Sequence, residues 1–517
     1  MPLPATIDDR LLGRLTDRVR SSGGATYKLL EVYTGEVITA LPQSTAADVE
    51  AAYADAREAQ QGWASQPLEQ RLAVMKRFHK LLLKNHATVV DLMQAETGKA
   101  RRMSFEEVCD VAMTTSHYLR TASRVLTDTK RGGVVPFVST ATEVRAPKGV
   151  VGLISPWNFP FATSLSDAMP ALIAGNGVVL KPDNRSTLNV AFGVSLLEEA
   201  GLPAGLVQIV CGEGPDVGPA IVDGADYVMF TGSTATGRVI GERAGANLIG
   251  CTLELGGKNP LVVMPDADLD ETVPGALFGS FLNAGQACMH IERIYVHALV
   301  AEEFTRRFVI AAERIALGAS YDWEPEMGAL ISAEHLERVS DHVEDARSQG
   351  AEVLTGGRAR PDLGPTFYEP TVLRGVTPAM RLAREETFGP VTAIFTYETE
   401  DEVVALANDT DYGLNASIWS RDLEAAERLG RRIRAGNIGV NDSLACAYAS
   451  KSTPSGGIKN SGVGSRHGDS GLLKYTDPIN VAVLKKQVLT PPADVDYAKY
   501  VKQTVLSLKA MRRLNLR

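Results

Sequence analysis

From residue 150 the chain repeats one pattern, and that pattern restricts the fold more than anything else in the sequence. The runs VVGLIS, VVLKP, VQIV, YVMFTG and CTLEL are short, apolar and rich in β-branched residues. Helical stretches separate them, such as LNVAFGVSLLEEAG, which ends at Gly201 with Pro203 just beyond. Continuously apolar strands alternating with helices predict a parallel sheet covered on both faces. Ligands of such sheets bind at the carboxyl ends of the strands. The polar and glycine-rich segments PWNFP, KPDN, GEGPDVG and TGSTATG fall at those ends. A second α/β region follows over 257–455, with strands in RIYVHALV, VTAIFTY and NASIWS and helices over 301–316, 332–348 and 421–434. The expected class is α/β, with two doubly wound parallel-sheet domains that meet near Gly256-Gly257.

The flanking segments read differently. Residues 45–63 read as the first amphipathic helix, with a capping-box start at Thr45 and Asp48 and Gly62 at its end. Further helices run to about residue 127. Residues 132–149 alternate apolar and polar and predict extended strands, a protruding hairpin. After Pro491-Pro492, Tyr497, Val501, Val505, Leu508 and Met511 recur at helical spacing beside Lys499, Lys502, Lys509, Arg512, Arg513 and Arg517. This basic amphipathic helix over 491–517 is expected to pack on the protein's own surface or on a partner subunit rather than on a membrane surface.

Composition narrows the function. A chain of 517 residues with net charge −9 and pI near 5.6 has the wrong balance for a nucleic-acid binder. No apolar run is long enough for a transmembrane helix, and MPLPATIDDR lacks the features of a signal peptide. Cys109, Cys211, Cys251, Cys288 and Cys446 are scattered and odd in number. They predict a reducing, cytoplasmic setting without disulfides and no metal site.

Some residues carry chemical potential on their own. TGSTATGR follows a strand and opens a helix, so a phosphate suits Ser233. GEGPDVG places Gly214 and Gly218 in a second such turn, and two of them favour a dinucleotide. Lys181 at a strand end reaches a ribose or simply meets solvent; alone it supports the second reading. Glu254 ends an apolar strand, and burial would raise its pKa toward that of a general base. Cys288 lies beside Gly285 and Ala287, whose small size leaves backbone amides free to stabilise a thiolate. A lone cysteine would still read as packing.

Together these segments resemble the aldehyde dehydrogenase superfamily from about residue 30 to 488. PWNFP, LELGGKNP, NAGQAC, EETFGP and SGVGSRHG occur in that family's order and spacing. The resemblance implies a dinucleotide-binding domain (1–131 and 148–256), a catalytic domain (257–455) and an oligomerisation arm (132–147 and 472–488). It implies NAD(P)-dependent oxidation of an aldehyde through a cysteine thiohemiacetal and thioester. Cys288 matches the nucleophile, Asn158 and the Cys288 N–H the oxyanion donors, and Glu254 the base that activates water. Pro156, Trp157, Lys181, Asn184, Gly214, Gly218, Gly232, Ser233, Leu255, Glu386 and Phe388 match the cofactor site. The glutamate favours hydrolysis over transfer to coenzyme A and speaks against a non-catalytic relative. Neutral Asn184 followed by Arg185 favours NADP over NAD, with Asp183 as a countervailing charge.

Within the family the chain is most similar to a succinate-semialdehyde branch, through KPD, IERIYV, YDWEPEMGALIS and SRHG-GLLKYT. That similarity implies succinic semialdehyde as the small-molecule substrate and a homodimer or homotetramer. However, Ser166 and Leu282 stand where the better-known enzymes of this branch place arginines. His290, Arg466 and His467 are the candidate replacements. A pocket built on Phe161 and Leu282 would instead suit a medium-chain or aromatic aldehyde.

Overall fold

A computed structural model describes residues 2–133, 138–444, 450–486, 491 and 493–513. Cys446, Pro492, Arg517, the 134–137 part of the expected hairpin and residues 487–488 lie outside the described residues.

The five predicted runs form Val150–Ile154, Gly177–Lys181, Val207–Ile209, Tyr227–Thr231 and Gly250–Glu254, all mutually parallel. Gly177–Lys181 and Tyr227–Thr231 are buried at every position, as a sheet covered on both faces requires. Across the sheet the order is Gly462–Val463, Gly250–Glu254, Tyr227–Thr231, Val150–Ile154, Gly177–Lys181, Val207–Ile209. The chain builds outward from Val150–Ile154 and then returns to its other side. The crevice for a ligand therefore opens beyond Val150–Ile154 and Tyr227–Thr231.

The second sheet has seven strands, in the order Glu352–Thr355, Thr371–Arg374, Val391–Tyr397, Ile291–His297, Asn259–Val263, Asn415–Trp419, Asn437–Val440. Only Glu352–Thr355 runs antiparallel. The link Leu255-Gly256-Gly257-Lys258 joins the sheets, so the carboxyl end of Gly250–Glu254 lies close to the start of Asn259–Val263, an interior strand of the next sheet.

A third, antiparallel sheet joins Thr129–Gly132, Ser139–Pro147 and Thr476–Leu484, in register from Thr476 opposite Pro147 to Leu484 opposite Ser139. Ile479, Val481 and Val483 lie on one face of its edge strand and are exposed.

The capping box forms as expected: Thr45 accepts from the Asp48 N–H, and the Asp48 carboxylate accepts from the Thr45 N–H. That helix, Ala46–Ala64, runs past Gly62 and is not the first. Asp9–Thr16 precedes it and buries Leu11, Leu12 and Leu15. The expected 421–434 helix is shorter, Leu423–Gly430, where Gly430 packs against Ile438 and the chain turns toward Asn437–Val440. The terminal helix Tyr497–Arg513 fully buries no residue. None of the described helices is long and apolar enough to cross a membrane.

Candidate active site

Cys288 follows a strained turn. Asn283, Ala284 and Gly285 have φ of 48°, 54° and 68°, a left-handed run that costs energy at the two non-glycine positions. Gly285 is there for closeness: an added Cβ would lie 1.9 Å from the Gly389 carbonyl oxygen. Its role is thus to seat the turn rather than to free amides. Side chains then pin the loop. Asn283 Nδ2 donates to the Asn158 and Gln286 carbonyls at 3.0 and 3.1 Å. Asn259 Nδ2 donates to the Cys288 carbonyl at 2.8 Å. Cys288 is half-buried, and burial pushes its thiol up to about 12, with the Arg466 charge acting the other way. A neighbouring base is needed to take its proton.

Asn158 stands just beyond the carboxyl end of Val150–Ile154. Its Nδ2 donates to the Gln286 carbonyl at 3.1 Å, and its own carbonyl accepts from Lys99 Nζ at 2.6 Å. Lys99 is held by the buried Glu107, whose second oxygen accepts the Ala162 N–H at 2.9 Å. Removing one member of such a buried pair costs roughly 3–5 kcal/mol.

Glu254 ends its strand 5% exposed, and its Oε1 has no hydrogen-bond partner among the described residues. Burial raises its pKa to about 7, against the opposing charges of Arg466 and Lys474. That value lies where a general base works best near neutral pH.

Two cavities meet at these residues. Asn158, Thr231, Glu254 and Cys288 line both. The first cavity, about 160 Å³, opens between helices Arg101–Leu126 and Pro160–Ala174 and the Leu282 turn. The second runs over the crevice between the sheets. Of the residues matched to a cofactor, Pro156, Trp157, Gly232, Ser233, Leu255, Glu386 and Phe388 line it. Ser233 caps helix Thr234–Ala246 and lines the crevice, so the N-terminus of that helix lies at the crevice wall. Glu386 Oε1 accepts the Gly257 N–H at 2.8 Å, and a Cβ on Gly256 would lie 2.4 Å from its other oxygen. Burial pushes Glu386 up to about 8. Phe388 (φ 57°) sits edge-on to Trp157 at 5.6 Å.

Four expected cofactor residues do not line this crevice. Lys181 Nζ donates to the Pro182 carbonyl at 3.1 Å and is buried rather than solvated. Asn184 is engaged by Glu213 and by the Gly212 N–H, at 3.0 and 3.1 Å. Gly214 and Gly218 face open space, at the start of and within helix Gly214–Gly224. Arg185 does line it, paired with Asp183 at 2.9 Å and stacked 5.4 Å from Trp157.

The first cavity also corrects two expectations. Leu282, Ser166, Arg466 and His467 line it, but Phe161 and His290 do not. On its helix, Ala162, Thr163, Ser166 and Asp167 share the cavity face, while Phe161 turns away and packs on Gly193. His290 is buried at the start of Ile291–His297, 3.7 Å from Glu292, with its pKa lowered by burial. It offers the cavity no charge.

Several residues at the site carried no sequence signal. Glu292, ion-paired with Lys258, accepts the Thr387 N–H at 3.0 Å and so holds the Glu386 loop. His335 Nε2 donates to the Phe388 carbonyl at 2.7 Å, and Arg338 donates to the Glu386 carbonyl at 3.0 Å. Lys99 and Glu107 act on Asn158 from behind. Lys99, Glu107, His335 and Arg338 sit in no motif, and Glu292, though inside IERIYV, has no role readable there; only the fold brings them together.

Fold and site together define a class. The chain belongs to the aldehyde dehydrogenase family, whose profile matches residues 19–481. A Mycolicibacterium smegmatis protein with the provisional name succinate-semialdehyde dehydrogenase [NADP(+)] is 45% identical over 514 residues, covering 99% of each chain. A 3-sulfolactaldehyde dehydrogenase from Pseudomonas putida is 34% identical over 89% of this chain and 94% of its own. Among solved structures, betaine aldehyde dehydrogenase from Staphylococcus aureus, in complex with NAD+, superimposes with a TM-score of 0.88 at 30% identity, covering 94% of this chain and 98% of its own.

Proposed function

We propose that the protein oxidises a small aldehyde to its carboxylic acid by covalent catalysis at Cys288, with hydrolytic release. The observation that carries this reading is the set Asn158, Thr231, Glu254 and Cys288 where the two cavities join. The first cavity admits the aldehyde. The residues of the second fit a nicotinamide dinucleotide: helix amides for the diphosphate, Trp157 and Phe388 for the ring end, and the Glu386 carboxylate for a ribose. Pro156, Gly232, Ser233 and Leu255 would hold it, with Lys181, Asn184, Gly214 and Gly218 toward the adenosine end. When bound, it supplies the hydride acceptor.

The Cys288 thiol gives its proton to a base and its sulfur adds to the aldehyde carbon. An amide such as Asn158 has two N–H donors. One is used by Gln286, and the other, with the Cys288 backbone N–H, stabilises the oxyanion. Loss of hydride leaves a thioester on Cys288. Glu254 takes a proton from water, the hydroxide attacks the thioester carbonyl, and the carboxylic acid leaves as the thiol is restored. Its unpartnered Oε1 suits that water.

The cofactor proposed is NADP or NAD, with neutral Asn184 and the names of the relatives at 45–46% identity favouring NADP. Those names also make succinic semialdehyde the first substrate to try. Initial rates of NAD and NADP reduction over succinic semialdehyde, hexanal and benzaldehyde test the reaction. No reduction with any pair would sink it, and an absolute need for coenzyme A would replace hydrolysis by acyl transfer.

A further inference from the structure

The charged side chains around the first cavity come already paired. Arg466 meets Asp167 at 2.9 Å and also donates to Thr231 Oγ1 at 2.8 Å. Lys451 is ion-paired with Asp110, which accepts from Ser166 Oγ at 2.6 Å. Lys99 is ion-paired with Glu107. All six of these charged groups are largely buried. His467 lies 3.1 Å from Lys451 Nζ, and burial with that cation keeps its imidazole neutral. The one further acid on the wall besides Glu254 is Glu106, which is exposed. Much of the remaining wall is apolar: Met103, Met113, Phe159, Phe278, Leu282 and Met289.

We infer that the aldehyde accepted here is uncharged at its far end, an aliphatic or aromatic aldehyde in preference to a carboxylate-bearing semialdehyde. The inference rests on the reaction proposed above. A substrate carboxylate in this cavity faces Glu106 and three acids whose cations are spoken for. To reach Lys451 or Arg466 it must displace Asp110 or Asp167, leaving a buried carboxylate without its partner. Such a mismatch lowers kcat/KM by about 10²-fold or more. An uncharged chain displaces nothing and lies against the methionines and phenylalanines.

The test compares succinic semialdehyde with its methyl ester, which has the same carbon chain without the charge, and with the cationic betaine aldehyde. The ester is expected to show at least about 100-fold higher kcat/KM than succinic semialdehyde. Equal or higher kcat/KM for succinic semialdehyde, or a preference for the cation, would overturn the inference. Inactivity toward all three and toward hexanal would overturn the reaction itself. Asp110→Asn gives a second reading, because it takes the acid from Lys451 while Ser166 keeps an acceptor. It should narrow the ester-to-semialdehyde ratio at least about tenfold, mainly through a lower KM for the semialdehyde. A ratio unchanged by a folded Asp110→Asn protein would contradict the assignment of specificity to these pairs.

Discussion

At Glu254 one physical cause has two consequences. Burial favours the neutral acid, so its pKa in the fold, about 7, lies above the ordinary 4.5. As a base it works only once ionised, so the deacylation rate should climb as pH rises through about 7. For stability the sign is opposite to that of a salt-bridged carboxylate. The contribution is full below pH 4.5 and is lost as pH rises through about 7. Glu254→Gln should therefore raise the melting temperature at pH 8, with the gain fading at pH 4; a gain that grew on acidification would contradict the burial account. Asn158→Ala should lower kcat by about 10²–10³ with the melting temperature nearly unchanged, since it removes one oxyanion donor. These residues were legible because each sits in a local motif. Lys99 and Glu107 were not, nor was the role of Glu292 within IERIYV, because they act through tertiary contacts on residues far along the chain. Phe161 was placed on the wrong face, since one residue along a helix turns a side chain by about 100°.

Among the elements, the turn over Leu282–Gly285 is the least tolerant. Gly285→Ala adds a Cβ that would lie 1.9 Å from a carbonyl oxygen, at a φ of 68° that side chains resist. It should cost at least about 2 kcal/mol in urea unfolding and displace Cys288, with kcat falling further than stability alone explains. At the other extreme, Thr45→Ala removes a cap that lines neither cavity and should cost about 1 kcal/mol with kcat unchanged. The capping box was legible because its two partners, Thr45 and Asp48, lie only three positions apart. Helix Asp9–Thr16 was not, because it is only about two turns long, although Leu11, Leu12 and Leu15 share one buried face. The hairpin of Thr26–Leu30 and Val37–Pro42 was missed for the same reason.

At the scale of the molecule, the parallel strands of both sheets could be read from the alternation of strands and helices, but neither the strand order nor the antiparallel edge strands Gly462–Val463 and Glu352–Thr355 could. Nothing local tells the chain to return to the far side of Val150–Ile154, and that return creates the crevice. The three-stranded arm is the proposed association surface for a homodimer or homotetramer. Ile479, Val481 and Val483 are exposed in the monomer at 46%, 46% and 51%, a row of apolar side chains that association would cover. Val481→Asp should shift the protein toward monomer in light scattering, whereas an unchanged mass would remove the arm from the interface. The terminal helix Tyr497–Arg513 adds nothing to the core, so its loss should leave kcat/KM unaltered.

The account stands or falls on a thioester at Cys288 whose release depends on Glu254. Rapid mixing of Glu254→Gln with an aldehyde and NADP or NAD measures this directly. One equivalent of reduced nicotinamide per site should form in a burst, followed by near-arrest, with the acyl mass found on the peptide that contains Cys288. Steady turnover at the wild-type rate, or a burst with no acyl group on Cys288, would contradict it.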